Sequence, residues 1–231
     1  MKYVLIISGF AIFAILFGSC QDNEISKDEE QALPLLNYLA LGDSYTYGQG
    51  IDYVGSWPVQ LTSELSKNGV EVSTLEVIAR TGWTTTDLLN AIGNKSDTNF
   101  SLVSLQIGVN NQFQNLPFSL FEMEFLQLLD SAVQYAGAKS RVFVLSIPDY
   151  GVTPFGTDQE ESISREIDQY NTYIKTSCKT YGIAYINVTE ISRELGSSSM
   201  ALAEDRLHPS ASQYKLWVDE LLPILLPQLT E

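Results

Sequence analysis

Five short apolar runs, each separated from the next by a stretch with helical spacing, constrain this chain more tightly than any other feature. Leu36 to Leu41 is apolar and ends at Gly42. Val70 to Ile78 alternates and is rich in valine. Leu102 to Ile107 ends at Gly108, and Arg141 to Ile147 and Ile183 to Val188 complete the set. Between them, helical spacing covers Trp57 to Lys67, Thr84 to Ile92, Phe118 to Tyr135 and Glu160 to Tyr181. The last of these is the clearest, with apolar residues at Ile163, Ile167, Tyr170, Ile174, Cys178 and Tyr181 and a stop at Gly182. Ser210 opens a final helix through Leu216, Trp217 and Leu221, which Pro223 should kink or end. Strands that alternate with helices build a parallel sheet covered on both faces. The expectation is therefore an α/β fold, a flavodoxin-like three-layer α/β/α arrangement with a five-stranded parallel sheet in the order 2-1-3-4-5. In that order the ligand crevice lies at the carboxyl ends of strands 1 and 3, so chemistry should gather just after Leu41 and just after Ile107.

The residues before the first strand read as a targeting segment. Lys2 gives a positive start, Val4 to Phe17 is almost unbroken apolar, and Phe17-Gly18-Ser19-Cys20 places small residues before a cysteine. The apolar run is short for a membrane span. Its end resembles a bacterial lipobox, with Phe17 where leucine is more usual, and this implies lipidation at Cys20. An ordinary secretory signal with an incidental cysteine, or an uncleaved anchor, are the other readings. The expected organisation is a lipoprotein signal peptide over 1–19, an acidic tether over 20–32 and one folded domain over 33–231. The tether carries Asp22, Glu24, Asp28, Glu29 and Glu30 without apolar periodicity. The expected location is extracytoplasmic, held to a bacterial membrane through the lipid.

Lys and Arg number 13 against 28 Asp and Glu, for a net charge of -15. Such a surface repels phosphate backbones and shows no basic patch, which argues against a nucleic-acid partner. Neutral ligands suit it better than anionic ones. With Cys20 lipidated, Cys178 has no partner, and its place on a helical apolar stripe makes it a small buried hydrophobe. No Cys/His cluster with zinc-site spacing is present, so no metal is expected.

Four groups of residues carry the chemistry. Gly42-Asp43-Ser44-Tyr45 follows the first strand, and Gly82 lies in Arg80-Thr81-Gly82-Trp83 after the second. Gly108-Val109-Asn110-Asn111 follows the third, and Asp205-Arg206-Leu207-His208 precedes the last helix. His208 is the single histidine of the chain, so any imidazole chemistry belongs to it. In this order and spacing the four blocks resemble those of the SGNH (GDSL-type) hydrolases, and the resemblance spans nearly the whole folded domain. It implies a serine hydrolase acting on carboxylic esters without metal or cofactor. Ser44 would be the nucleophile, His208 the base and Asp205 the group orienting it. The backbone N–H groups of Ser44 and Gly82 and the side-chain amide of Asn110 would hold the oxyanion. Two departures stand out. Asn111 occupies a place where many members carry aspartate, and Tyr45 replaces the leucine of the GDSL motif.

Taken singly, each residue has a plainer role. Ser44 could cap a turn, Gly82 could be a turn glycine and Asn110 a loop asparagine. His208 could be a surface imidazole at a helix entry, and Asp205 could pair with Arg206 or be solvated. Three functional readings follow: an esterase removing short acyl groups such as acetate from a glycan or small molecule; a lipase, lysophospholipase or thioesterase acting on long acyl chains; or a glycan-binding lipoprotein without turnover. The oligomeric state is left open. Tyr45, Tyr47, Tyr53, Trp57 and Trp83 are candidates to stack on substrate, with Trp57 and Tyr53 leaning toward the core. Residues 112–117 and 148–156 are candidate rim loops.

Overall fold

The computed structural model describes residue 1 and residues 35–93, 95, 99–198 and 200–230. The expected signal peptide, Cys20 and the acidic tether, Met1 apart, lie outside the described residues. The strands are β1 (Leu36–Gly42), β2 (Val72–Ala79), β3 (Leu102–Gln106), β4 (Val142–Leu145) and β5 (Ala184–Ile186). The helices are α1 (Ser44–Tyr47), α2 (Trp57–Lys67), α3 (Thr85–Ile92), α4 (Val109–Phe113), α5 (Phe118–Ala136), α6 (Glu160–Tyr181), α7 (Thr189–Leu195) and α8 (Ala211–Leu229). Every strand pairing is parallel and the order is β2-β1-β3-β4-β5, as the sequence implies. Right-handed crossovers place α2, after β1, on the face opposite α3, α5 and α6, which follow the later strands. The chain then returns, and α8 packs on α2 while α3 packs on α5. Among the described residues, no helix is long and apolar enough to cross a membrane.

Burial grades across the sheet as its order demands. β3 and β4 are buried at every position and β1 at all but Asn37, whereas edge strand β2 is largely half-buried. Polar side chains on the central strands have partners, as unpaired groups there would be costly, whereas Thr46 Oγ1, Ser56 Oγ, the Tyr214 hydroxyl and the Trp217 indole N–H are buried without one among the described residues. Tyr38 and Ser104 share a hydroxyl hydrogen bond of 2.8 Å. Gln106 accepts from the Trp57 indole at 3.2 Å and donates to the Ser146 carbonyl at 3.1 Å. Asn171, on α6, bonds both the N–H and the C=O of Ile147 at 2.8 and 2.9 Å, clamping the end of β4 to that helix.

Local signals explain the helix ends. Thr84 and Asp87 form a reciprocal capping box at the start of α3. Ser210 accepts from Gln213 N–H at 3.1 Å and starts α8, and Gly182, at φ 71°, ends α6. Pro223 does not end α8, which runs on through it and through Pro227 to Leu229. Leu225, on the far side of Pro223, is buried, so continued packing outweighs one lost N–H donor. β5 covers only half of the run from Ile183 to Val188. Tyr53 is 55% exposed, contrary to a core role, because it sits in a one-turn 3-10 helix, Tyr53–Gly55, that directs it outward. Trp57 and Cys178 are fully buried.

The turn out of β1 is the tightest point. A Cβ on Gly42 would lie 2.6 Å from the Gln106 carbonyl oxygen of neighbouring β3 and 2.1 Å from Thr46 Oγ1. Backbone in a central strand cannot move aside, so Gly42→Ala should cost about 3 kcal/mol or more of unfolding free energy. Urea denaturation measures this, and a loss under about 1 kcal/mol would contradict the packing described.

Candidate active site

Each predicted catalytic and oxyanion residue stands on the carboxyl rim of the sheet, on an element whose geometry has a local cause. Asp43 leaves β1 and caps α1, its Oδ1 accepting from Tyr45 N–H at 3.0 Å. That bond holds the turn that presents Ser44, whose Oγ makes no hydrogen bond among the described residues. Gly82, at φ +84°, takes a left-handed conformation in the β2–α3 loop, and a Cβ there would meet nothing within 4 Å. The space above its backbone is open. Gly108, at φ +126°, turns the chain from β3 into α4, and there a Cβ would lie 2.6 Å from the Phe121 ring.

The two asparagines after Gly108 divide their work. Asn110 Nδ2 donates to the Trp83 carbonyl at 2.9 Å, which fixes the amide and ties α4 to the Gly82 loop. An amide nitrogen carries two N–H groups, so one remains for a ligand. Asn111 is buried and bonds the first residue of α3 instead: Oδ1 accepts from Thr85 N–H at 3.0 Å and Nδ2 donates to Thr85 Oγ1 at 2.7 Å. Asparagine suits this place because it can both accept and donate, which an ionised aspartate cannot.

His208 and Asp205 form one unit. Nδ1 of the imidazole lies 2.7 Å from Asp205 Oδ2, while Oδ1 accepts the N–H groups of Leu207 and His208, each at 3.0 Å. This closes a tight turn with Arg206 at φ 61°. Partial burial works against the charged Asp205, yet those two N–H donors and the imidazole outweigh it and hold its pKa below the usual carboxylate range. In the neutral tautomer that donates from Nδ1 to Asp205, Nε2 carries the free lone pair. The turn is anchored by Ala203 N–H to the His208 carbonyl at 2.8 Å and by the Leu202–Pro209 bridge. The Tyr45 ring meets the imidazole edge-on at 5.9 Å between centroids.

A cavity of about 220 Å³ collects Ser44, Gly82, Asn110 and His208 in one lining, with Asp205 behind the imidazole. Its other walls are mainly apolar, among them Val109, Leu207, Phe113, Tyr150 and Phe155. Phe113 comes from the 112–117 segment, and Tyr150 and Phe155 from the 148–156 loop. Tyr45 also lines the cavity; Tyr47, Tyr53, Trp57 and Trp83 do not. Trp83 instead supplies the carbonyl that orients Asn110.

The support for the 148–156 loop has no sequence signal. Asp149, with a fully buried side chain, pairs with Arg193 of α7 at 2.9 Å and accepts from Gly151 N–H at 2.8 Å. Tyr150 donates to Gln112 Oε1 at 2.8 Å, and Gln112 donates to Glu166 Oε2 at 2.8 Å. Among the described residues, no group of three or more His, Cys, Asp or Glu side chains is placed to hold a metal ion.

A model of the GDSL-like lipase/acylhydrolase family matches residues 40–216 of the chain. Several solved structures share the fold. A family 3 carbohydrate esterase from Clostridium thermocellum is 20% identical with a TM-score of 0.68, over 85% of this chain and 98% of that one. A lipase from a goat rumen metagenome is 22% identical with a TM-score of 0.66, over 82% and 97%. A phospholipase A1 from Streptomyces albidoflavus is 20% identical with a TM-score of 0.64, over 84% and 100%. At these identities the likeness is one of fold. None of the curated proteins matches the chain.

Asp43 gives a prediction. Burial pushes its carboxyl up to about 7, with the Tyr45 N–H pulling the other way. The folded chain thus keeps a proton that an unfolded aspartate releases near pH 4, so stability falls as pH rises between those values. Asp43→Asn still caps but never ionises. Its stability relative to the parent chain should improve by roughly 2–3 kcal/mol between pH 4.5 and pH 7.5. Urea midpoints across that range measure it, and a difference that does not change with pH would contradict the raised pKa.

Proposed function

The chain belongs to the GDSL-like lipase/acylhydrolase family, and on that premise we propose that it hydrolyses short-acyl carboxylic esters, such as acetyl esters of a glycan or small molecule, through Ser44, His208 and Asp205. The observation that carries this reading is the convergence of Ser44, Gly82, Asn110 and His208 on one small cavity, with Asp205 bound to the far nitrogen of the imidazole.

In this mechanism Ser44 Oγ attacks the carbonyl carbon as His208 Nε2 takes its proton. The oxyanion is held by Ser44 N–H, Gly82 N–H and the second N–H of Asn110. His208 then hands its proton to the departing alkoxide, and water repeats the sequence on the acyl-serine. Asp205 fixes the tautomer and stabilises the imidazolium. The modest cavity favours short acyl groups, and the net negative charge favours a neutral ester. The mainly apolar lining of the cavity favours a second reading, a lipase, lysophospholipase or thioesterase acting on long chains.

Hydrolysis of p-nitrophenyl esters from acetate to palmitate separates the two. Short chains should be preferred. Ser44→Ala and His208→Asn should each lower kcat by at least about 10³-fold, and Asn110→Ala by roughly 10²-fold. Undiminished turnover in Ser44→Ala would sink the mechanism, and preference for palmitate would favour the long-chain reading.

We also propose that Cys20 is lipidated and holds the domain to a bacterial membrane on the extracytoplasmic side. The support is the run Val4 to Phe17 followed by Gly18-Ser19-Cys20. Metabolic labelling with an alkyne fatty acid should mark the full chain and not Cys20→Ser. Equal labelling of both would rule this attachment out.

A further inference from the structure

A second cavity of about 290 Å³ lies beside the first, and the two share three lining side chains: Phe113, Tyr150 and Phe155. These three are the wall between them. Phe113 contacts both others, with ring centroids 6.0 Å from Tyr150 and 5.9 Å from Phe155. The far side differs in character. It is lined by Gln112, Asp158 and Glu166 and contains none of Ser44, Gly82, Asn110 or His208.

We propose that this aromatic partition is the acyl-length limit of the enzyme: it closes the acyl end of the reaction cavity, and an acyl chain too long for the first cavity must displace Phe113 or Phe155 to enter an acidic, polar space. The inference rests on the ester-hydrolase reading above. His208 must stand beside the leaving-group oxygen that it protonates, so the acyl chain runs away from the imidazole. The second cavity adjoins the first through Phe113, which α4 carries together with the oxyanion residue Asn110, and has neither His208 nor Leu207 in its lining, so we assign it to the acyl side. Each methylene that reaches apolar surroundings favours binding by about fourfold. A methylene pushed among Asp158, Glu166 and Gln112 gains little of this, and the carboxylates lose water. The wall is not rigid at every point. Tyr150 is buried and tied through Gln112 to Glu166, whereas Phe113 is 49% and Phe155 58% exposed. The two phenylalanines are therefore the positions at which the limit can be moved.

The test compares kcat/KM for p-nitrophenyl acetate, butyrate, octanoate and laurate in the wild type, Phe155→Ala and Phe113→Ala. Thermal melts check that each variant is folded, which their exposure favours; Phe155→Leu serves if truncation to alanine fails. The ratio of octanoate to acetate, internal to each protein, is the readout. In the wild type it should be below one. At least one of the two alanine variants should raise it tenfold or more, with the largest rise at the chain length that first reaches the wall. A ratio unchanged in folded variants, while the wild type turns over acetate through Ser44, overturns the partition and leaves the esterase reading standing. No hydrolysis of any ester by the wild type would overturn both.

Discussion

Strands buried on both faces have no room for chemistry along their length, and that constraint governs the rest of this molecule. β3 and β4 present no exposed side chain, and β1 is buried at all but one position. Their few polar groups are spent on one another, as in the Tyr38–Ser104 and Trp57–Gln106–Ser146 bonds. Functional side chains must therefore stand where strands end. Parallel pairing brings all the carboxyl ends to one rim. Gly42 is the point at which this becomes strictest, because β3 leaves no space for a Cβ where β1 turns toward Ser44.

On that rim, the loops are tied to one another rather than only to the sheet. Asn110 reaches the Trp83 carbonyl, and Asn111 takes both polar groups of Thr85 that face it, so the Gly82 loop and α4 are bound as a unit. Asp205 spends one oxygen on two backbone N–H groups and the other on the imidazole, which sets its position and lowers its pKa together. Asp149 and Arg193 fix the base of the loop that supplies Tyr150 and Phe155. Preorganisation of this kind is what charge development in an acyl-transfer transition state requires.

How much of this was legible in the sequence depended on distance along the chain. Amphipathic period and end signals located α2 and α6 to the residue, since Pro58, Gly182 and the apolar spacing are all local. The strand order was expected from five strands alternating with helices, which suit the flavodoxin-like arrangement. The short helices α1, α4 and α7 span four to seven residues and carry too little period to be read. At the site, residue types after strands 1 and 3 were informative because the topology gave their location in advance. The Asp149–Arg193, Tyr150–Gln112 and Gln112–Glu166 contacts were not, because their partners are 38 to 54 residues apart and no local pattern marks them. Asp205 was legible because its partner is local: the sequence offered His208 as the group it orients and Arg206 as the plainer alternative, and the backbone turn brings it to His208.

The most direct test of the central claim, that Ser44 is a nucleophile activated by His208, is stoichiometric labelling with a fluorophosphonate followed by peptide mass mapping. A single adduct is expected on the peptide containing Ser44, formed by the wild type and strongly slowed in His208→Asn. An adduct elsewhere, or labelling of Ser44 that is equally fast without the imidazole, would contradict that claim.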